Sequence, residues 1–204
     1  LTNRRLEQAR RLLALAQTGL HYTKAPFDAE RYQEIESIAH AQLAEIANFD
    51  TEEVAQLFSK EQGYANPKIG VRCAVFNEAG HVLLVREKTD GLWSLPGGWA
   101  DIGATPVENA VREVQEESGF TVRVTRLLAA WDQRKHAHPP TLFHIWLLVF
   151  LGEVVTPGTP PGLETDAADF FALDALPPLS LKRVLPEQLL RLGELYQSGE
   201  IELD

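Results

Sequence analysis

The sequence predicts a mixed α/β domain preceded by a small all-α domain, on three observations. Apolar residues in the first sixty positions recur at steps of three and four, the period of helices with one buried face. From Lys68 the pattern changes to β-branched and aliphatic runs of strand length, bounded by Asn, Asp, Gly and Pro. Two further helical stretches, 105–119 and 187–198, are set among those strands, as layered α/β domains require. We place the helical domain at 1–64 and the α/β domain at 65–204.

In the first helix Leu6, Ala9, Leu13, Ala16 and Leu20 form a narrow seam, and Gly19 marks its expected end. The second is expected to start at Asp28 as N-cap, with Phe27 and Tyr32 as a hydrophobic staple. It turns Tyr32, Ile35, Ala39, Leu43 and Ile46 inward. Asp50 caps the third, Glu53 completes a capping box, Phe49 and Val54 form the staple, and Gly63 is the stop. Three short helices cannot cover all their own apolar surface, so the bundle is expected to pack on the following domain or on a second copy of the chain.

The stretches Ile69–Phe76 and His81–Arg86 read as a hairpin around Asn77, Glu78 and Gly80. Arg72 interrupts the first run and shares a face with Gly70, Ala74 and Phe76. Such an arginine either binds phosphate or pairs with the protein's own glutamates. Arg86 and Lys88 close the second run, as phosphate contacts or exposed edge charges. Trp93, Leu95 and Pro96 lead into Gly97 and Gly98, where the backbone can approach a ligand and offer a carbonyl to a metal. Long strands are expected over 122–131 and 142–155. The polar loop between them offers Asp132, Lys135 and His136 as binding groups, and Trp131 reads either as a base-stacking ring or as core. His136 and His138 lack further ligands at metal spacing and read as solvated. A Pro/Gly-rich loop then precedes a short strand at 170–173, with Glu164 and Asp166 on the approach. Pro186 opens the last helix, with Leu189, Leu190, Leu192 and Leu195 on the sheet.

The helix at 105–119 carries the chemistry. Thr105, Pro106 and Glu108 form a capping box, and Gly119 is a left-handed stop. Val107, Ala110, Val111, Val114 and Ser118 make the packing stripe. Glu113, Glu116 and Glu117 stand at i, i+3 and i+4, which gathers three carboxylates on one side. Like charges this close repel, and oxygen-only clusters suit Mg2+ or Mn2+. Arg112 lies four residues after Glu108 and four before Glu116, placed to brace the acidic row.

These residues resemble the box of the Nudix hydrolase family, G-x(5)-E-x(7)-R-E-U-x-E-E-x-G-U, with U apolar. Gly98, Arg112, Glu113, Val114, Glu116, Glu117, Gly119 and Phe120 match it; Ala104 stands where the first glutamate would be. In the family pattern that glutamate mainly supports the loop. The segments 15–35, 61–76 and 92–106 are similar to the Nudix branch with an N-terminal helical domain. The resemblance implies a Nudix-type α/β/α sandwich with a mixed sheet. It implies a homodimer whose helical domain helps wall the substrate cleft, and a pyrophosphatase of a nucleoside diphosphate linked to a second group. CDP-choline is the leading substrate, ADP-ribose or another dinucleotide the alternative, and a silent ligand sensor a further one. The expected metal ligands are Glu113, Glu116, Glu117 and the carbonyl of Gly97 or Gly98. The expected general base is Glu116, a neighbour in the box, Glu164 or Asp166, with Arg112 supporting. Arg72, Arg86, Trp93, Asp132 and His136 are the candidate substrate contacts.

Composition narrows the partners. With 29 acidic and 19 basic residues the chain carries a net charge of −10. Long nucleic acid and anionic membrane both need a basic surface, so neither is an expected partner. A small nucleotide neutralised by a divalent cation is compatible with that charge. Cys73 is single and lies in an apolar run, which excludes an internal disulfide. No run of 18 apolar residues and no signal-peptide pattern occurs, so a soluble cytoplasmic protein is expected.

Overall fold

A computed structural model describes residues 4–61, 63–159 and 163–204. Pro160, Pro161 and Gly162, in the middle of the expected Pro/Gly loop, lie outside the described residues. The chain forms two compact units, one from the chain up to Lys68 with Pro140–His144, the other from Ile69–Pro139 with Ile145–Asp204.

The first unit holds α1 (Arg4–Tyr22), α2 (Pro26–Ala47) and α3 (Thr51–Phe58). Leu6, Ala9, Leu13, Ala39, Leu43, Ala44, Val54 and Phe58 form its core. Leu142 and Phe143 pack on that core instead of opening a strand at 142, and Arg10 donates to the Leu142 and Thr141 carbonyls. The expected ends of the helices move for local reasons. Gly19 lies inside α1, because a Cβ there would overlap the Tyr32 ring; it allows close helix contact and is not a stop. α2 opens at Pro26, so Asp28 belongs to its first turn and is not the N-cap. Phe27 is exposed and no staple forms. α3 has the expected Asp50–Glu53 capping box, but it ends at Phe58, short of Gly63.

His40 of α2 is buried, stacks on Phe58, and has no hydrogen-bond partner for Nε2 among the described residues.

The second unit contains a four-stranded sheet in the order β1-β5-β4-β7 and a three-stranded sheet in the order β3-β2-β6. The strands are β1 (Lys68–Val75), β2 (Val82–Glu87), β3 (Trp93–Ser94), β4 (Thr121–Asp132), β5 (Ile145–Thr156), β6 (Thr165–Phe171) and β7 (Glu202–Leu203). α4 (Pro106–Ser118) and α5 (Pro186–Ser198) complete the mixed α/β sandwich. Alternating residues of β1, Val71, Cys73 and Val75, bury against Ala110 and Val114 of α4. Burial pushes the Cys73 thiol up to about 12, as suits an inert core residue. Leu189, Leu192 and Leu195 seat α5, while Leu190 is exposed.

Asn77 makes the expected turn, its Oδ1 accepting from the amides of Ala79 and His81. The turn does not close a hairpin: β1 and β2 share one bridge, Phe76 to Val82, and enter different sheets. β6 begins at Thr165, five residues before the expected strand, because its pairing with β2 runs from Glu87 to Val82. β7 was not expected; its two residues pair in parallel with Ala129 and Ala130 of β4.

Burial lowers the His40 pKa below 6.5, with Glu36 opposing. The unfolded chain therefore takes up the proton first, so stability is complete above the unfolded value and declines as pH falls below it. His40→Gln removes the titrating group. Its melting temperature is expected to fall less between neutral and mildly acidic pH than that of the wild type, as measured by circular dichroism.

Candidate active site

The site grows from one edge of β1. The amides of Val71 and Cys73 donate to the carbonyls of Gly98 (2.9 Å) and Pro96 (3.0 Å), which fixes the Gly-Gly segment against the strand. Gly97 has φ +145, and a Cβ on it would overlap the Val71 carbonyl and lie 2.8 Å from Arg72 Cα, so only glycine fits. Its amide donates to Glu117 Oε2 at 2.8 Å. A Cβ on Gly98 would stand 2.9 Å from the Glu113 carboxylate. Two carboxylates one helical turn apart on α4 thus reach over two residues without side chains.

α4 is held for this role at both ends. Thr105 and Glu108 form the capping box, and Gly119 takes the left-handed C-cap with φ 75. Val107, expected in the packing stripe, is 43% exposed; the buried positions are Asn109, Ala110, Glu113, Val114, Glu117 and Ser118. Glu113 and Glu117 are therefore part of the packed face. Burial raises both carboxyls, Glu117 to about 8, against the opposing Gly97 amide and Arg72 in its case and Arg112 in that of Glu113.

Glu116 is exposed and bonded to Arg112 Nη1 at 2.7 Å. Arg112 Nη2 reaches Asp101 (2.8 Å), Glu113 Oε1 (2.9 Å) and Asn109 Oδ1 (3.1 Å). Arg112 braces Glu116 as expected, but Glu108 turns back to the Thr105 amide. Asn109 also accepts from the Asp101 amide and donates to the carbonyls of Thr105 and Ala104, which fastens the loop where the box glutamate is missing.

Arg72 extends beside this pair. Its Nε and Nη1 are sealed from solvent and have no partner among the described residues. Burial lowers its pKa, and the charges acting on it are Glu117, Arg183, Glu87 and Glu113. Glu87 and Arg183 were not foreseen as site residues. Glu87 is buried, accepts from Ser94 Oγ at 2.9 Å and pairs with Arg183 at 3.1 Å. Its signal in the sequence is weak, a carboxylate at the end of an apolar strand; the cause is a register shift between Arg86 and Glu87, which re-aims the chain.

The other candidates lie in two separate groups. Arg86 bonds Asp166 Oδ1 at 2.7 Å and lies over the Trp93 ring, which in turn meets Phe171 edge-on. That pair holds the Asp166 pKa below its ordinary value. Asp132 is bonded to Arg134, and His136 Nε2 lies 3.2 Å from Asp204. Trp131 is buried, with Nε1 on Glu202. His138 contacts the Leu181 carbonyl and is not solvated as expected. Glu164 is exposed, directly before β6.

Among the described residues no group of three His, Cys, Asp or Glu forms a ready-made metal cluster. Hard divalent cations such as Mg2+ keep several waters and use one or two carboxylates plus substrate phosphates. Two buried, charge-disfavouring carboxylates packed over the Gly97–Gly98 backbone fit that requirement. An arrangement of this kind can hold a divalent cation against phosphate oxygens.

The comparisons give the family. A NUDIX domain matches residues 66–192, and a UDP-X-like, N-terminal oligomerisation domain matches residues 3–58. The chain belongs to the Nudix family and is a Nudix hydrolase. A Bacillus subtilis protein named "Putative ADP-ribose pyrophosphatase YjhB" is 46% identical, over 94% of this chain and 92% of its own. A crystal structure of a UDP-X diphosphatase is 34% identical, covering 100% of this chain and 99% of its own, with a TM-score of 0.65. The structure of an ADP-ribose pyrophosphatase from Streptococcus suis is 39% identical, covering 68% of this chain and 100% of its own, with a TM-score of 0.63.

The glycines separate stability from activity. Gly97→Ala is expected to lower the melting temperature strongly, because backbone atoms cannot yield. Gly98→Ala meets only a side-chain carboxylate, so it is expected to keep most of the stability and lose most of the turnover. Thermal melts and initial rates on both variants check this.

Proposed function

We propose that this hydrolase cleaves the pyrophosphate bond of a nucleoside diphosphate joined to a second group. The observation that carries the reading is the buried Glu113–Glu117 pair over Gly97 and Gly98, with Arg72 beside it, whose Nε and Nη1 have no partner among the described residues. Mg2+ or Mn2+ would be held by Glu113, Glu117 and the Gly97 or Gly98 carbonyl, with Glu116 at the rim. When bound, the cation supplies charge neutralisation at phosphate oxygens and a lowered water pKa.

The chain's own residues do the rest. Arg72 gives its guanidinium to a phosphate oxygen, a charged acceptor that offsets its partial loss of hydration. The Gly97 amide and Arg112 hold Glu117 and Glu116 in fixed directions, so no reorganisation is needed when substrate enters. Glu116 or Glu164 takes the proton of the attacking water. Asp166 is the weaker candidate, because a carboxylate held low by an arginine is a poor base.

ADP-ribose takes precedence over CDP-choline, which the sequence resemblance put first. The relative that spans nearly the whole chain and the Streptococcus suis structure both carry an ADP-ribose name. A UDP-linked substrate stands beside it, because the structure covering the full chain is a UDP-X diphosphatase. The complete Glu113, Glu116, Glu117 set argues against a silent sensor.

Hydrolysis of ADP-ribose, UDP-glucose and CDP-choline with product identification tests the substrate. Activity is expected only with Mg2+ or Mn2+, and Glu117→Gln is expected to lose it, because a hard-cation site loses a negative ligand with little change in shape. Turnover in excess chelator, or an active Glu117→Gln, would refute the metal assignment.

We also propose a homodimer formed through the helical domain, residues 1–64, which would help wall the substrate cleft. Leu15, Phe27, Ile38, Phe49 and Leu57 are exposed on that unit, and the domain it matches is described as an oligomerisation domain. Light scattering on the full chain is expected to give a dimer mass, and Ile38→Glu with Leu15→Glu to lower it. A monomeric wild type would sink the proposal.

A further inference from the structure

We propose that Trp99 is the nucleobase platform of this hydrolase, an inference that rests on the nucleotide-pyrophosphatase reading above. Trp99 directly follows the glycine pair and forms an antiparallel bridge with Gly70. The bridge is closed by bonds from Val71 N to the Gly98 carbonyl and from Ala100 N to the Ile69 carbonyl, both 2.9 Å. In this pattern the two side-chain directions share one face and stand close together.

Gly70 puts no side chain there. A Cβ on it would lie 2.8 Å from Leu147 Cδ2, which places Leu147 on the same face. Leu147 is in register with Trp131 of β4. One face therefore carries Trp131, Leu147, Gly70 and Trp99 in a row. The row is buried at Trp131 and Leu147 and opens at Trp99, which is 51% exposed.

Arg72 follows Gly70 by two residues, so it leaves β1 on this same face, about 7 Å along the strand. Its Nε and Nη1 are the unpaired donors already described. An exposed indole at the open end of an apolar face filled by Leu147, one strand repeat from a guanidinium with two donors unpaired among the described residues, suits a flat ring joined to an anionic phosphate. A nucleoside phosphate has that form. Every base offers a π-face, so an indole accepts it without a fixed hydrogen-bond pattern.

The other tryptophans are placed differently. Trp93 is taken up by Phe171 and Arg86, and Trp131 is buried on Glu202. Trp146 is in register with Asp132, one residue out of phase with Leu147, and so belongs to the other face.

The test uses full-length wild type, Trp99→Ala and Trp99→Phe, with steady-state kinetics on ADP-ribose and calorimetry with AMP and with ribose 5-phosphate. Trp99→Ala is expected to raise the KM and to weaken AMP binding by roughly tenfold, in line with the loss of one base stack. Ribose 5-phosphate binding and kcat are expected to hold, and Trp99→Phe to retain most of the affinity. Equal losses for AMP and ribose 5-phosphate, or an unchanged KM in an active Trp99→Ala, would overturn the assignment and leave the hydrolase reading intact. A Trp99→Ala protein that changes its oligomeric mass would also overturn it, by assigning the indole to a subunit contact. A wild type that hydrolyses no nucleoside diphosphate derivative would remove the broader reading and this inference together.

Discussion

The amide of Gly97 on the Glu117 carboxylate is the contact on which the α/β unit is arranged. A buried carboxylate is costly unless donors or cations surround it. Here one donor comes from a backbone that can approach only because residue 97 has no Cβ, and that backbone is fixed in turn by the edge of β1. Both ends of α4 are specified for the same reason. A helix that slid or frayed by one residue would carry Glu113 and Glu117 off the glycine pair, so a reciprocal N-cap and a left-handed C-cap bound it within 13 residues. Thr165 Oγ1 also donates to the Glu117 carbonyl, which ties the helix to the start of β6.

The charge pattern around that contact is graded by burial. Glu117 and Glu113 are buried, Glu116 is exposed, and Arg112 spans from the rim to Glu113. Arg72 is the opposite case, a cation with two nitrogens sealed from water and no carboxylate at ion-pair distance among the described residues. Glu113 is answered by Arg112, but the sealed Arg72 donors and the Glu117 carboxylate, with its one amide donor, leave buried charge under-compensated, which is unfavourable for folding alone. They would become favourable on the proposed binding, with an anion at the arginine and a cation at the carboxylates, the composition of a metal pyrophosphate. Stability given up at such positions is a common mark of a functional site.

What the sequence made legible followed from local rules. The α4 caps, the Asp50 capping box, the α5 seam apart from Leu190 and the Asn77 turn depend on residues within a few positions of each other, and each is present. The glycine pair, the carboxylates and Arg72 were legible because strand and helix periods place them. Apart from the helix ends at Asp28 and Gly63, the failures required contacts between distant segments. Gly19 reads as a helix stop until Tyr32 is seen against it. Leu142 and Phe143 continue an apolar run in sequence, yet they serve the helical core. Glu87 and Arg183, almost a hundred residues apart, become partners only through the β2 bulge and the loop before α5, and β7 is too short to show a period.

Ala104 shows how a missing motif residue can be read physically. The glutamate expected at that position supports the loop, so its absence matters only if nothing else does so. Asn109, one turn into α4 and buried, takes the Asp101 amide on its oxygen and gives its nitrogen to the carbonyls of Thr105 and Ala104. The same oxygen receives Arg112, which links loop, helix and rim carboxylate through one neutral side chain. An amide can bridge donors and acceptors together, whereas a carboxylate only accepts. Replacing a loop carboxylate by this arrangement also removes one negative charge from a region where Arg112 already answers Asp101, Glu113 and Glu116, with Glu117 close by. The departure from the motif therefore lightens the repulsion in the acidic row while the loop stays fastened to the helix.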